Sequence, residues 1–170
     1  MLTGGTRDVN PQYASLDLTE SAANTFTQGT LELPVLRGRN GNGRYQVIEL
    51  LKAWVTISGG AGATGDGRNV QLATSSQTAM ATTFGNPDIV MLWNDGIIIT
   101  TSGLYVPQNP QTIDFTDGAG HGIIISTERM FFSVIGVSQT GALVSSLRIL
   151  YRFKNISVDE FVGLAIQQGG

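Results

Sequence analysis

An all-β sandwich is the fold this sequence predicts. Three observations carry it. The chain of 170 residues holds 22 glycines and only 14% charged residues, against roughly 25% in an average globular domain. Runs of β-branched and aromatic residues recur between Gly-, Asn- and Asp-rich turns. No helical period is sustained before residue 157, and strands do not alternate with helices as in a βαβ protein. The pattern leaves a jelly roll, an immunoglobulin-like sandwich and a lipocalin-like barrel open. The absence of cysteine disfavours the disulfide form of the immunoglobulin fold. Uneven strands and loops disfavour a regular up-and-down barrel, so the jelly roll leads.

Residues 1–25 lack sustained periodicity and read as an extended N-terminal arm, with turns at Gly4-Gly5 and Asn10-Pro11. The sandwich is expected over 26–170. Phe26 to Leu36 is the first strand, with Leu31, Leu33 and Val35 on one side and Pro34 marking an edge or irregularity. Two Asn-Gly pairs make 37–44 a turn. Tyr45 to Ser58 is a long strand: Val47, Glu49, Leu51, Ala53, Val55 and Ile57 share one face, and Ile48, Leu50, Lys52, Trp54 and Thr56 the other. Gly59 to Arg68 is a flexible loop, and Val70 to Ser75 a short strand. The stretch 76–87 is mixed, with room for a turn of helix. Ile89–Trp93 and Ile97–Thr101 are expected to form a hairpin around Asn94-Asp95-Gly96. Short strands follow at 104–106, 112–115 and 122–126, with a loop at 117–122. Arg129 to Val137 and Leu143 to Lys154 complete eight to ten strands.

Net charge is −3, which does not indicate a strongly basic nucleic-acid-binding domain. Without cysteine there is no zinc–thiolate site and no thiol nucleophile. No apolar run reaches ~18 residues, so neither a membrane span nor a secretory signal is expected. A low charge content also leaves little polar surface for a lone subunit and favours an assembly that covers part of it.

Motifs with chemistry are few. Ser157-Val-Asp-Glu160 matches a capping box, so Asp159 and Glu160 read as the start of a short C-terminal helix rather than as a catalytic pair. His121 is the single histidine, in a Gly-rich loop with no G-x-S-x-G partner, so no catalytic residue is expected. Asp66, Asp95, Asp114 and Asp117 lie in or beside loops, where calcium between subunits is a candidate. Asp-Gly turns explain Asp66, Asp95 and Asp117 without metal, and no other cofactor is implied. The Gly-rich 59–67 loop lacks the Lys-Ser/Thr of a phosphate cradle. Basic residues cluster twice: Arg37, Arg39 and Arg44 in one loop, and Arg148, Arg152 and Lys154 on one face of the last strand, opposite Leu147, Ile149, Tyr151 and Phe153. That basic face is a solvated surface or, in an assembly, an interior lining that meets phosphates.

The segments MLTGGTRDVNPQ, Leu33–Val35, Val47–Lys52 and ILYRFKNISVDEFVGLAIQ at 149–167 carry a family resemblance. They resemble capsid proteins of small circular single-stranded DNA viruses, which are similar to the coat protein of satellite tobacco necrosis virus. The resemblance implies one eight-stranded jelly roll, assembly into a small icosahedral shell (T=1, roughly sixty copies), a genome inside, and residence in the virion. Such proteins often begin with a basic arm, whereas residues 1–25 hold Arg7 against Asp8, Asp17 and Glu20. The expectation is therefore a non-enzymatic coat protein. Its site residues would be Arg148, Arg152 and Lys154 toward nucleic acid, and its partner would be itself, without a membrane. The alternative is a carbohydrate- or ligand-binding β-sandwich, for which Trp54, Trp93 and Tyr105 are the available platform residues, each explained by core packing. A cupin-type enzyme needs a histidine cluster that one histidine does not supply.

Overall fold

A computed structural model describes residues 10–34, 44–59, 66–96, 98–100, 103–105 and 110–167. Arg37, Arg39, most of the Gly-rich 59–67 loop, Val35, Leu36, Val106 and the first nine residues of the expected arm lie outside the described residues.

Two antiparallel sheets face each other across one core. Sheet A has the order β1-β11-β3-β8, with β9 also paired to β3; sheet B has the order β2-β10-β4-β5. The strands are β1 Gln12–Thr19, β2 Thr27–Glu32, β3 Tyr45–Gly59, β4 Gly67–Ala73, β5 Ile89–Gly96, β6 Ile98–Thr100, β7 Gly103–Tyr105, β8 Gln111–Asp114, β9 Ile123–Ile125, β10 Arg129–Val137 and β11 Leu143–Ile156. The pairs are nested: β4 with β5, β3 with β8 and β9, β2 with β10, β1 with β11. This is one long antiparallel hairpin rolled so that alternate pairs fall in opposite sheets, the jelly roll. Among the described residues, β6 and β7 pair with each other alone. Helix α1, Val158–Gln167, ends the described chain.

The core is apolar from both sheets. Ile48, Leu50, Ala53, Val55, Leu147 and Ile149 meet Val70, Leu72, Met91, Met130, Phe132 and Val134. Each of these side chains larger than alanine contributes roughly 1.5–3 kcal/mol by leaving water.

Three expectations are corrected. Residues 12–19, placed in the arm, form the first strand of the sandwich: β1 pairs with β11 along its length, and Ala14, Leu16 and Leu18 pack on the core. Asn94-Asp95-Gly96 do not turn; they stay in β5 opposite Asn69, Arg68 and Gly67, because β4 offers a partner that far. The hairpin forms between β6 and β7 instead. The 74–88 connection contains no helical turn. Its backbone is satisfied by side chains: Ala81 N–H donates to Gln71 Oε1 at 2.7 Å, and Gln71 Nε2 donates to Ala79 O at 3.3 Å. Gln71 is fully buried, so these bonds fix the loop over sheet B.

β3 does not keep one alternation. Leu150 pairs with Lys52 and Tyr151 with Leu50, so Leu51 is an extra residue, a β-bulge. Ile48 and Leu50 therefore face the core before it, and Ala53, Val55 and Ile57 after it. Val47 and Glu49 turn to the outer side of sheet A, and so do Lys52, Trp54 and Thr56.

Candidate nucleic-acid face and groove

The outer side of sheet A is the candidate surface. Its middle strand, β11, alternates as the sequence predicts: Leu147, Ile149 and Tyr151 are buried in the core, and Arg148, Leu150, Arg152 and Lys154 project outward. The three expected cations thus share one face, but they divide into two environments.

Arg152 and Lys154 converge on Glu49, whose side chain is 1% exposed. Arg152 Nε donates to Glu49 Oε2, Lys154 Nζ lies 3.6 Å from Oε1, and Gly122 N–H donates to Oε1 at 3.0 Å. Arg152 Nη2 also donates to Gly120 O at 3.1 Å. Burial works against the charge on Glu49. The Arg152 hydrogen bond, the Gly122 amide and the charges of Lys154 and Arg152 outweigh it and hold the carboxyl below its ordinary value. The cluster ties β3, β11 and the 117–122 loop together.

Arg148 stands elsewhere. Across the sheet it pairs with Ser15 of β1 and Trp54 of β3. It is exposed, and among the described residues it makes no ion pair. A groove of about 510 Å³ runs here, lined by Tyr13, Asp17, Trp54, Thr56, Ser146 and Arg148, among others. Tyr13 is 63% exposed, and its ring lies 6.1 Å from that of Trp54 at a 44° tilt. Trp54 is therefore not a core residue, contrary to the expectation that core packing explains it. Trp93 does pack against the core, and the side chain of Tyr105 lies outside the described residues.

The remaining motif residues have local jobs. Ser157 and Glu160 cap α1 reciprocally: Ser157 N–H donates to Glu160 Oε2 at 2.8 Å, and Glu160 N–H to Ser157 Oγ at 3.3 Å. Phe161 of the helix stacks on Tyr45, with centroids 4.2 Å apart. His121 is exposed, 3.1 Å from Asp117, which also accepts the Ala119 and His121 amides. Asp114 accepts from the Thr116 hydroxyl and amide and lies 3.3 Å from Lys52; these contacts hold it at about 2. Among the described residues no group of three or more His, Cys, Asp or Glu is arranged to hold a metal.

No family model matches this sequence, and no curated protein matches it. The fold does match solved structures. The chain is similar to VP1 of Trichodysplasia spinulosa-associated polyomavirus in complex with GM1 oligosaccharide, with a TM-score of 0.57, 10% identity, and coverage of 90% of this chain and 97% of that one. It is similar to Merkel cell polyomavirus VP1 in complex with disialyllactose, with a TM-score of 0.51, 9% identity, and coverage of 90% and 97%. Human polyomavirus 12 VP1 in complex with 3′-sialyllactosamine gives a TM-score of 0.50, 9% identity, and coverage of 86% and 100%. At such identities the shared property is the jelly-roll fold.

Proposed function

We propose that this chain is a viral coat protein, without enzymatic activity, that assembles with copies of itself into a closed icosahedral shell around a genome and resides in the virion. The observation that carries the reading is the nested two-sheet jelly roll, matched over 90% of the chain by a viral VP1. The resemblance of both ends and the first third of the chain to small-virus capsid sequences supports it. So do Phe84, Val137, Val144, Val162 and Ile166, large apolar side chains exposed on the single subunit. Closed symmetry turns modest contacts between such patches into a stable particle. A T=1 shell of roughly sixty copies suits a subunit of one domain. Within it, sheet A faces inward, and Arg148 is the cation available to nucleic acid. Arg152 and Lys154 are held by Glu49 and contribute less.

The test is negative-stain microscopy of the purified protein after size exclusion. Round particles of uniform diameter support the reading; a field without particles at every salt and calcium concentration overturns it. A second reading, a glycan-binding β-sandwich, is favoured by the exposed Tyr13–Trp54 pair and by the glycans bound to the VP1 neighbours. It predicts a stable monomer that binds 3′-sialyllactose.

A further inference from the structure

We infer that the sheet A groove is a nucleotide-stacking site for single-stranded nucleic acid, with Tyr13 and Trp54 taking the base, Arg148 the phosphate, and Asp17 the edge of a guanine. The inference rests on the coat-protein reading above and names the residues through which the inner face would meet its genome.

Four observations combine. First, the Tyr13 ring of β1 and the Trp54 ring of β3 approach to 6.1 Å over the outer side of sheet A, not in the core, and Tyr13 is 63% exposed. A base stacked on such rings gives binding that tolerates sequence, because every base has a flat π-face. Second, Arg148 lies in the same groove and makes no ion pair among the described residues. This contrasts with Arg152 and Lys154, four and six residues on, which share a buried carboxylate. A guanidinium without a carboxylate partner is suited to a phosphate in two-pronged geometry. Third, the groove holds about 510 Å³, within the range of small-ligand sites. Fourth, Asp17 lines the groove one pleat from Ser15, which pairs with Arg148. A carboxylate repels phosphate but accepts from amino and imino groups on a base edge. Guanine presents two such donors side by side on its Watson–Crick edge, and thymine presents one. Asp17 therefore orients the base away from the phosphate side and selects guanine over thymine. A neutral sugar would leave Arg148 without a role, and a sialylated one would bring its carboxylate beside Asp17 as well as Arg148; a nucleotide separates its phosphate from the base-edge donors that Asp17 takes, so nucleic acid is the occupant the charges favour.

The test uses the full chain stripped of nucleic acid, with two labelled probes, a thymine hexamer and an alternating thymine–guanine hexamer, followed by anisotropy. Tryptophan quenching is read in parallel in a Trp93→Phe background, where Trp54 is the only tryptophan. Both hexamers should bind and quench, the guanine-containing one more tightly. Arg148→Ala and Tyr13→Ala should each weaken both probes roughly tenfold. Asp17→Asn should reduce the preference between probes at least roughly threefold while leaving the thymine hexamer unweakened. No binding of either hexamer, binding unchanged by Arg148→Ala, or quenching by 3′-sialyllactose but not by the hexamers overturns the site. Sizing separates the two levels. Hexamer binding is read on dissociated subunits, whose sheet A face is open, and sizing on the same protein under assembly conditions: particles without subunit binding refute the groove alone, and subunit binding without particles refutes the shell and leaves the groove standing.

Discussion

Replacing Arg152 by Ala tests the Glu49 cluster, a buried carboxylate held by two cations and a backbone amide. Glu49 is 1% exposed and keeps three partners, of which Arg152 is the hydrogen-bonded cation. Breaking a fully buried pair by removing one partner costs roughly 3–5 kcal/mol, because the remaining charge is stranded. Here Arg152 is 24% exposed and Lys154 stays 3.6 Å from Glu49, so water and the lysine recover part of the loss. A loss of about 2–3 kcal/mol is expected at neutral pH. The assay is urea denaturation of dissociated subunits, followed by fluorescence. The loss should shrink on acidification. The folded pKa of Glu49 lies below its ordinary 4.5, so the ion cluster stabilises fully above 4.5, and that contribution is lost as pH falls through the folded value. In an Arg152→Met, Glu49→Leu double variant most of the stability should return, since a well-packed apolar pair often replaces a buried ion pair without loss. An Arg152→Ala loss below about 0.5 kcal/mol, or one that grows toward pH 3, would refute the reasoning.

Other outcomes follow from the same contacts. Leu16→Ser should cost roughly 1–2 kcal/mol, measured by thermal melting, because β1 belongs to the sandwich; no effect would return residues 12–19 to a free arm. Gly122→Ala should cost about 3 kcal/mol and show as lost soluble yield, since its Cβ would run into the backbone carbonyl of Leu50. Ser157→Ala removes one half of the capping box, and amide exchange in the first turn of α1 should accelerate roughly fivefold with the sandwich unchanged.

Much of this fold is legible in the sequence because its strands are half-buried. β11 shows the alternation of Leu147, Ile149 and Tyr151 against Arg148, Arg152 and Lys154, and the structure follows it. The capping box is readable for the same reason: it is local, and Ser157 and Glu160 need only each other. β1 was open to the same reading, since Ala14, Leu16 and Leu18 alternate with Ser15, Asp17 and Thr19, but proximity to the terminus suggested an arm. What depends on distant partners is not legible. The extension of β5 through Asn94-Asp95-Gly96 is set by the length of β4, which overrides local turn preference. The bulge at Leu51 reverses the facing of half of β3, and a two-sided apolar run hides it. Its one trace is the switch to strict alternation from Lys52 onward. Trp54 reads as a core residue for that reason, and the groove it lines is not legible in the sequence. Glu49 reads as one apolar-strand charge among others until Arg152 and Gly122, far along the chain, are brought onto it. Glu20 behaves alike: its buried carboxylate accepts the amides of Gly136 and Leu143 at 2.6 and 2.7 Å, joining β10 to β11.

Assembly is the claim on which the functional account stands, and particle mass measures it directly. Mass photometry of the purified chain in dilute buffer should show a narrow population at about 1.1 MDa, the mass of roughly sixty 18.0 kDa subunits in closed icosahedral symmetry. A single 18.0 kDa species by light scattering, unchanged by protein concentration, salt or calcium, would contradict it.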